Sequence, residues 1–299
     1  MLSSWQILSE PGSETKHWQP DMHCGQTDYI AGMPQLAYTG LSENWLLKEC
    51  GDLHWRGLAA LAGQARPEFR DAEGNKAYAA FIAVRVRDAA LEVLGENDAY
   101  SIGTQVMRVG GARHFSTHEL RADGDGLHGR RAEISMLSTF IRRKRERDNK
   151  SVVRASIALP DDGPPPAAAT EMGALAKRFR TGDWDSHLGL EKNCHESRYT
   201  CQFLPCPYTD FNGANLLYFA NFQAMVDRAE WQWQRFDELP VIAERDMFFH
   251  GNVNLGEALE LSFSAVSTQR DGLSHWCEIR RTSDGEKVAD VVTRKRWRV

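Results

Sequence analysis

Residues 207–231 read PYTDFNGANLLYFANFQAMVDRAEW, a Pro/Asn/Gly turn that runs into a long aromatic and aliphatic stretch. Leu217, Phe219, Ala220, Phe222, Met225, Val226 and Ala229 fall mostly on one helical face, which predicts a buried helix from about 214 to 236. A fainter twin, PQLAYTGLSENWLLKECGDLHW at 34–55, predicts a second helix from about 42 to 62. Setting Gly40 against Gly213 puts Trp45 against Tyr218. The triplet LGE occurs at 94–96 and again at 255–257, and from each of its glycines a 19-residue step reaches His114-Phe115 or His275-Trp276. Each half then closes on a strand-like run with a basic end, AEISMLSTFIRRKRE or VADVVTRKRWRV. Matched spacing of ordered landmarks points to an internal duplication.

Within each half a strand, a turn and one helix precede about four alternating segments. In the second half these are VIAERDMFFHGNV, EALELSFSAVST, SHWCEIRRT and KVADVVTRKRW. One long helix followed by antiparallel strands implies a sheet wrapped around a central helix, so the expected class is α+β and the expected fold a double hot-dog. Both helices should lie inside one continuous sheet, their first turns facing a groove between the halves. The stretch LPDDGPPPAAAT has three consecutive prolines and no periodicity, and reads as a semi-rigid linker. The expected organisation is a hot-dog domain at 1–159, a linker at 160–187 and a second hot-dog domain at 188–299.

Composition narrows the function classes. With 299 residues and a net charge of -5, the chain has no global positive field to draw nucleic acid or an anionic membrane. The six cysteines, Cys24, Cys50, Cys194, Cys201, Cys206 and Cys277, form no C-x-x-C pair or regular framework. The opening MLSSWQILSE lacks a signal-peptide pattern, and no apolar run approaches the roughly 20 residues of a membrane span. These features predict a reduced, cytoplasmic protein that does not span a membrane; whether it is a monomer or a homodimer they leave open.

In GMPQLAYTGLSENWLLKECGDLHW and DFNGANLLYFANFQAMVDRAEW the chain resembles the double hot-dog acyltransferase/decarboxylases of polyketide biosynthesis, the leinamycin-pathway type. The second motif is shared with the wider hot-dog thioesterase superfamily. The resemblance covers most of the chain. It implies an enzyme that takes methylmalonyl-coenzyme A, or a related malonyl-type thioester, through a tyrosine ester. Carbon dioxide is lost and propionyl passes to an acyl carrier protein. It implies no metal or organic cofactor; coenzyme A enters as part of the substrate. Tyr38, just before the first helix, is the position that best fits the family's tyrosine.

The residues themselves suit an acyl-thioester site. A helix N-terminus offers unpaired N–H groups and partial positive charge to a developing oxyanion. Gly40 and Leu41 are the expected donors there, with Ser42 and Asn44 as secondary candidates. Tyr38 needs that field, or a base, to act as a nucleophile at neutral pH, and a tyrosine merely packed by the helix is the plain structural alternative. Where AYTG stands in the first copy, DFNG stands in the second, so carboxylate and phenol change places. Asp210 with Asn212 would carry a thioesterase reading; their plain role is to shape the turn and cap the helix. A dehydratase reading would need a histidine–acid pair from among His54, His114, His275, Asp227 and Glu230, and no spacing selects one. Decarboxylation leaves a carbanion to stabilise and no water to activate, which favours Tyr38 over Asp210. A third reading is a non-catalytic module that binds acyl chains or a carrier protein.

Other candidates are weaker. His54 reads as a buried structural histidine, and no spacing pairs it with an acid. His114 and His118 have helical zinc spacing but lie in a strand pattern, about 13 Å apart, so no metal site is expected. The basic runs at 142–150 and 294–298 read as exposed strand ends, with steering of a nucleotide or an acidic carrier protein as a further role.

Overall fold

The computed structural model describes residues 22–122, 128–157, 159, 164–192, 197–268 and 270–298. In the first half β1 (Met22–Ile30) leads to α1 (Glu43–Leu61), then to β2 (Lys76–Arg87), β3 (Ala99–Arg108), β4 (Arg113–Ala122) and β5 (Gly129–Arg143). After α2 (Ala167–Thr181), the second half repeats the order: β6 (Tyr199–Phe203), α3 (Phe219–Gln234), β7 (Val241–Phe249), β8 (Leu259–Thr268), β9 (Gly272–Arg281) and β10 (Lys287–Arg296). The strands join in the order β1-β3-β4-β5-β2-β7-β10-β9-β8-β6, with Phe69–Arg70 and Val152–Arg154 pairing off that path in one 12-stranded sheet. Each half has the same internal order. They meet where β2 and β7 pair antiparallel, Val84 opposite Met247 and Val86 opposite Arg245.

The duplication is therefore structural. Each LGE triplet precedes the strand next in order, β3 or β8, and His114 and His275 lie on the matching strands β4 and β9. Both helices are buried against the same face of the sheet. Leu46, Leu47 and Cys50 of α1 share one apolar core with Phe222, Met225 and Val226 of α3.

Local chemistry sets where the helices begin. At α1 the Ser42 side chain accepts from the Trp45 amide at 3.3 Å and caps the helix where the sequence predicted. The second helix starts later than expected, at Phe219 rather than near 214. Asn212 Oδ1 accepts from the amides of Ala214 and Leu216 at 3.0 and 3.1 Å, and Asn215 has φ 56°, so 214–218 is held as a turn. The equivalent caps are Ser42 and Tyr218. Counting from them sets Gly51 against Asp227 and His54 against Glu230, which replaces the register obtained by matching Gly40 to Gly213.

The expected linker also differs. Ala169, Met172, Ala176 and Phe179 of α2 pack with Ala83, Phe248 and Val292 on the sheet face opposite α1 and α3. Trp184 is buried and stacks on Phe179 at 4.7 Å. Burying each such aromatic contributes on the order of 2–3 kcal/mol, so this segment is part of the core of the fold. Its proline run ends at Pro166, the residue before the first turn. Among the described residues no helix is long and apolar enough to cross a membrane.

Candidate functional site: two unlike grooves at the junction of the halves

The repeat places the first turn of each helix beside the flank of the other, and α1 and α3 touch through Asn44 Nδ2, which donates to the Ala220 carbonyl at 2.8 Å. A groove opens on either side of this contact.

The first groove, about 370 Å³, lies at the start of α1 and is lined by Ser42, Glu43, Asn44, Asp227, Glu230 and Lys295 among others. Its charges are matched within the fold. Arg245, wholly buried on β7, donates from Nε to Glu43 Oε1 at 2.8 Å and from Nη2 to Asp227 Oδ1 at 2.9 Å. Nη1 donates to Thr293 Oγ1 at 2.9 Å. Lys295 Nζ bonds Asp227 Oδ1 at 3.0 Å and Glu230 Oε1 at 2.5 Å, and Glu230 Oε2 meets His275 Nε2 at 2.6 Å. Burial opposes ionisation of Asp227, but Arg245 and Lys295 outweigh it and hold the carboxyl below its usual range. Burial pushes Glu43 up, against the pull of Arg245. The cluster joins α1 of the first half to α3, β7 and β10 of the second.

The second groove, about 340 Å³, lies at the start of α3 and is lined by Asp52, His54, Tyr78, Phe81, Asn212 and Tyr218 among others. Here the acids of the first groove are replaced: Gly51 stands for Asp227 and His54 for Glu230. His54 is wholly buried, its ring nitrogens 2.7 and 2.8 Å from the hydroxyls of Ser116 and Ser138. Burial, then the neighbouring His118 and His114, lower its pKa far below the usual value, so it is neutral. Both nitrogens being occupied, it supports the groove wall and has no lone pair to offer a substrate. Asn212 Oδ1 is tied to two backbone amides, which fixes the carboxamide and leaves Nδ2 as a donor. Burial, and after it the charges of Asp52 and Glu49, push the Tyr218 phenol up to about 12, so it keeps its proton at neutral pH; within the fold it donates to the Lys48 carbonyl oxygen over a long 3.5 Å, a contact that a substrate oxygen would replace. Asp52 is the one carboxylate that lines this groove among the described residues. A fixed amide and a phenol beside one carboxylate can hold a carbonyl oxygen and take a proton from water.

The sequence-predicted residues are distributed unevenly. His54 and Asn212 line the second groove; Leu41, Ser42 and Asn44 line the first. Tyr38 lines neither and is 88% exposed, in the turn between the short strands Leu36–Ala37 and Gly40–Leu41. Gly40 has φ 117°, and a Cβ there would lie 2.5 Å from Leu91 O and Glu92 Cα. Its close approach is thus to this chain's own backbone. Asp210 is buried, and its Oδ2 accepts from the Cys206 amide at 2.7 Å, as a turn-shaping residue does. Sequence reasoning missed Asp52 and Tyr218. The first lay inside GDLHW, and the second was a landmark of the repeat read only as helix core.

The basic runs are largely tied down. Arg142 pairs with Asp71 at 2.8 Å, Arg145 with Asp148 at 2.6 Å, Arg294 with Glu244 at 3.1 Å and Arg296 with Glu92 at 2.5 Å. Lys295 belongs to the first groove.

The sequence matches no protein-family model and no curated protein. The structure is similar to solved ones. A protein assigned as an oleoyl thioesterase from Lactobacillus plantarum aligns with a TM-score of 0.61 at 11% identity, over 95% of this chain and 98% of that one. The 12:0-ACP thioesterase from Umbellularia californica aligns with a TM-score of 0.60 at 10% identity, over 92% and 97%. An acyl-ACP thioesterase from Bacteroides thetaiotaomicron gives 0.56 at 12% identity, over 92% and 98%. Likeness at such identity concerns the backbone plan. The chain has the double hot-dog fold of these proteins.

Proposed function

We propose that the chain is an enzyme acting on acyl thioesters of coenzyme A or of an acyl carrier protein, and that it hydrolyses them in the second groove. The observation that carries this reading is the meeting of Asp52, from the first half, with Asn212 and Tyr218, from the second, in one cavity. The thioester carbonyl oxygen accepts from Asn212 Nδ2 and the Tyr218 hydroxyl, which stabilise the charge that develops on it. Asp52 takes a proton from water as its oxygen bonds to the carbonyl carbon; the C–S bond then breaks and the thiol leaves with a proton. The thioesterase names of the three similar structures support hydrolysis as the reaction.

Decarboxylating acyl transfer is the second reading. It is favoured by the resemblance in GLSENWL and GDLHW. Tyr38 would then carry the acyl group before an acyl carrier protein receives it, with the chemistry at the start of α1 and not among the donors of the second groove. One experiment separates the two: acyl-coenzyme A esters, methylmalonyl-coenzyme A included, are incubated with the protein, with and without carrier protein. Hydrolysis gives free acid and thiol, and Asp52→Asn should lower kcat by 10²-fold or more. Propionyl-loaded carrier, insensitive to Asp52→Asn and lost in Tyr38→Phe, would replace hydrolysis by transfer.

A further inference from the structure

On the face of the sheet opposite the grooves, a cleft of about 560 Å³ opens between α2, β5, Val152–Arg154 and the end of β7. Four cations line it: Arg113 from β4, Arg154 from the short strand, and Lys177 and Arg180 one turn apart on α2. All four are exposed, and no carboxylate lines the cleft among the described residues. Among the described residues none of the four has an ion-pair partner, unlike the paired arginines of the two basic runs. A cluster of like charge without counter-charge repels itself, and an anionic ligand removes that repulsion.

The cleft and the second groove share a wall. The pairing of β2 with β7 stops at Ala83 and Phe248, and β2 carries a bulge between Phe81 and Ala83. Beyond that point Ala80–Ile82 and Phe249–Asn252 line the cleft instead of pairing with each other. Phe81 borders the cavities on both faces, its ring 4.3 Å from Phe219 and 5.2 Å from His54. The two half-sheets thus part at this end, with a basic cleft outside and an apolar groove inside.

We propose that this cleft binds the phosphorylated nucleotide head of a coenzyme A thioester, while the pantetheine arm passes Phe81 so that the acyl group reaches the second groove. A 3′-phosphate and a diphosphate together carry about four negative charges at neutral pH, a match for the four cations. The apolar side of the cleft, Ile82 and Val153, gives the rest of the ligand a surface to lie on. The identity of the ligand rests on the acyl-thioester reading; the binding of a polyphosphate head can be measured without turnover.

The test is titration calorimetry with coenzyme A, dephospho-coenzyme A and pantetheine on the full chain and on Lys177→Glu/Arg180→Glu. Unfolding curves establish that this exposed double variant is folded, and Arg113→Gln provides an independent change. Wild type should bind coenzyme A more tightly than dephospho-coenzyme A, and pantetheine most weakly. The double variant should lose at least about tenfold in affinity for coenzyme A, together with most of its salt dependence. Equal affinity for coenzyme A and pantetheine, or an affinity unmoved by charge reversal, overturns the proposal. Reversal that weakens only a carrier-protein thioester, leaving free coenzyme A untouched, overturns the nucleotide assignment. If coenzyme A binds through these cations yet no thioester is turned over, the site stands and the proposed reaction falls.

Discussion

Glu43 and Arg245, 202 residues apart, form a two-point ion pair across the two halves, Nε to Oε1 at 2.8 Å and Nη2 to Oε2 at 3.1 Å. Arg245 is wholly buried and Glu43 nearly so. Removing Arg245 leaves the buried Glu43 carboxyl without its guanidinium partner. Arg245→Met should cost about 3–5 kcal/mol in urea unfolding, and Arg245→Met/Glu43→Leu should recover part of it. A single variant that unfolds within 1 kcal/mol of wild type, by this about-1 threshold for an exposed pair, would mean that the cluster does not hold the halves together.

Three buried histidines set an acid limit on stability. Burial lowers His118 to about 3 and His114 to about 4, and His54 lies well below its usual value. The unfolded chain takes up these protons near pH 6.5 and the folded one does not, so the contribution is fully present above about 6.5 and is lost as pH falls towards the folded values. Each neutral histidine gives a slope of about 1.4 kcal/mol per pH unit in that window. Unfolding free energy measured at several pH values between about 7.5 and 5 should fall steeply; a flat profile would show that the three rings protonate without unfolding. Asp227, Glu230 and Asp246, all held below their usual values, add loss only at lower pH.

Much of this architecture was legible because it repeats. A turn, a helix and spaced landmarks appear twice in the sequence, and the two half-sheets carry the same strand order. α2 was hidden by the three prolines before it, although Ala169, Met172, Ala176 and Phe179 have the spacing of a buried helical face. Arg245 and Lys295 could not be read as core residues, since the acids that make their burial tolerable stand on other elements far along the chain. The four cations of the outer cleft are dispersed over three elements and form no run, whereas the conspicuous runs are paired. The register of the twin motif failed for a local reason: Asn212 holds a turn where the first copy is already helical.

Two tyrosines now divide the functional readings. Tyr218 lines the second groove, and Tyr38 is in solvent. Under hydrolysis, Tyr218→Phe should lower kcat by about 10²-fold, as loss of one oxyanion donor does, and Tyr38→Phe should behave as wild type. Steady-state kinetics on one acyl-coenzyme A ester suffices. The reverse result, with a covalent acyl adduct that vanishes in Tyr38→Phe, would establish the tyrosine-ester route.

Gly51 tests whether the second groove is the working one. It lies in the middle of α1, where alanine is intrinsically better than glycine by about 1 kcal/mol. A Cβ there, however, would fall 2.7 Å from Phe219 Cε1 and 2.9 Å from Cζ. The ring is braced by Phe81 at 4.3 Å, so it cannot retreat without disturbing the wall between groove and cleft. Overpacking of this kind costs about 1–3 kcal/mol, enough to reverse the helix preference. Gly51→Ala should therefore be less stable than wild type and should raise KM, most for long acyl groups. Adding Phe219→Leu should restore both by making room for the methyl group. Should Gly51→Ala prove more stable with KM unchanged, the ring yields freely and substrate does not use this groove; the first groove, with Asp227 at its surface, would then be the place to look for the chemistry.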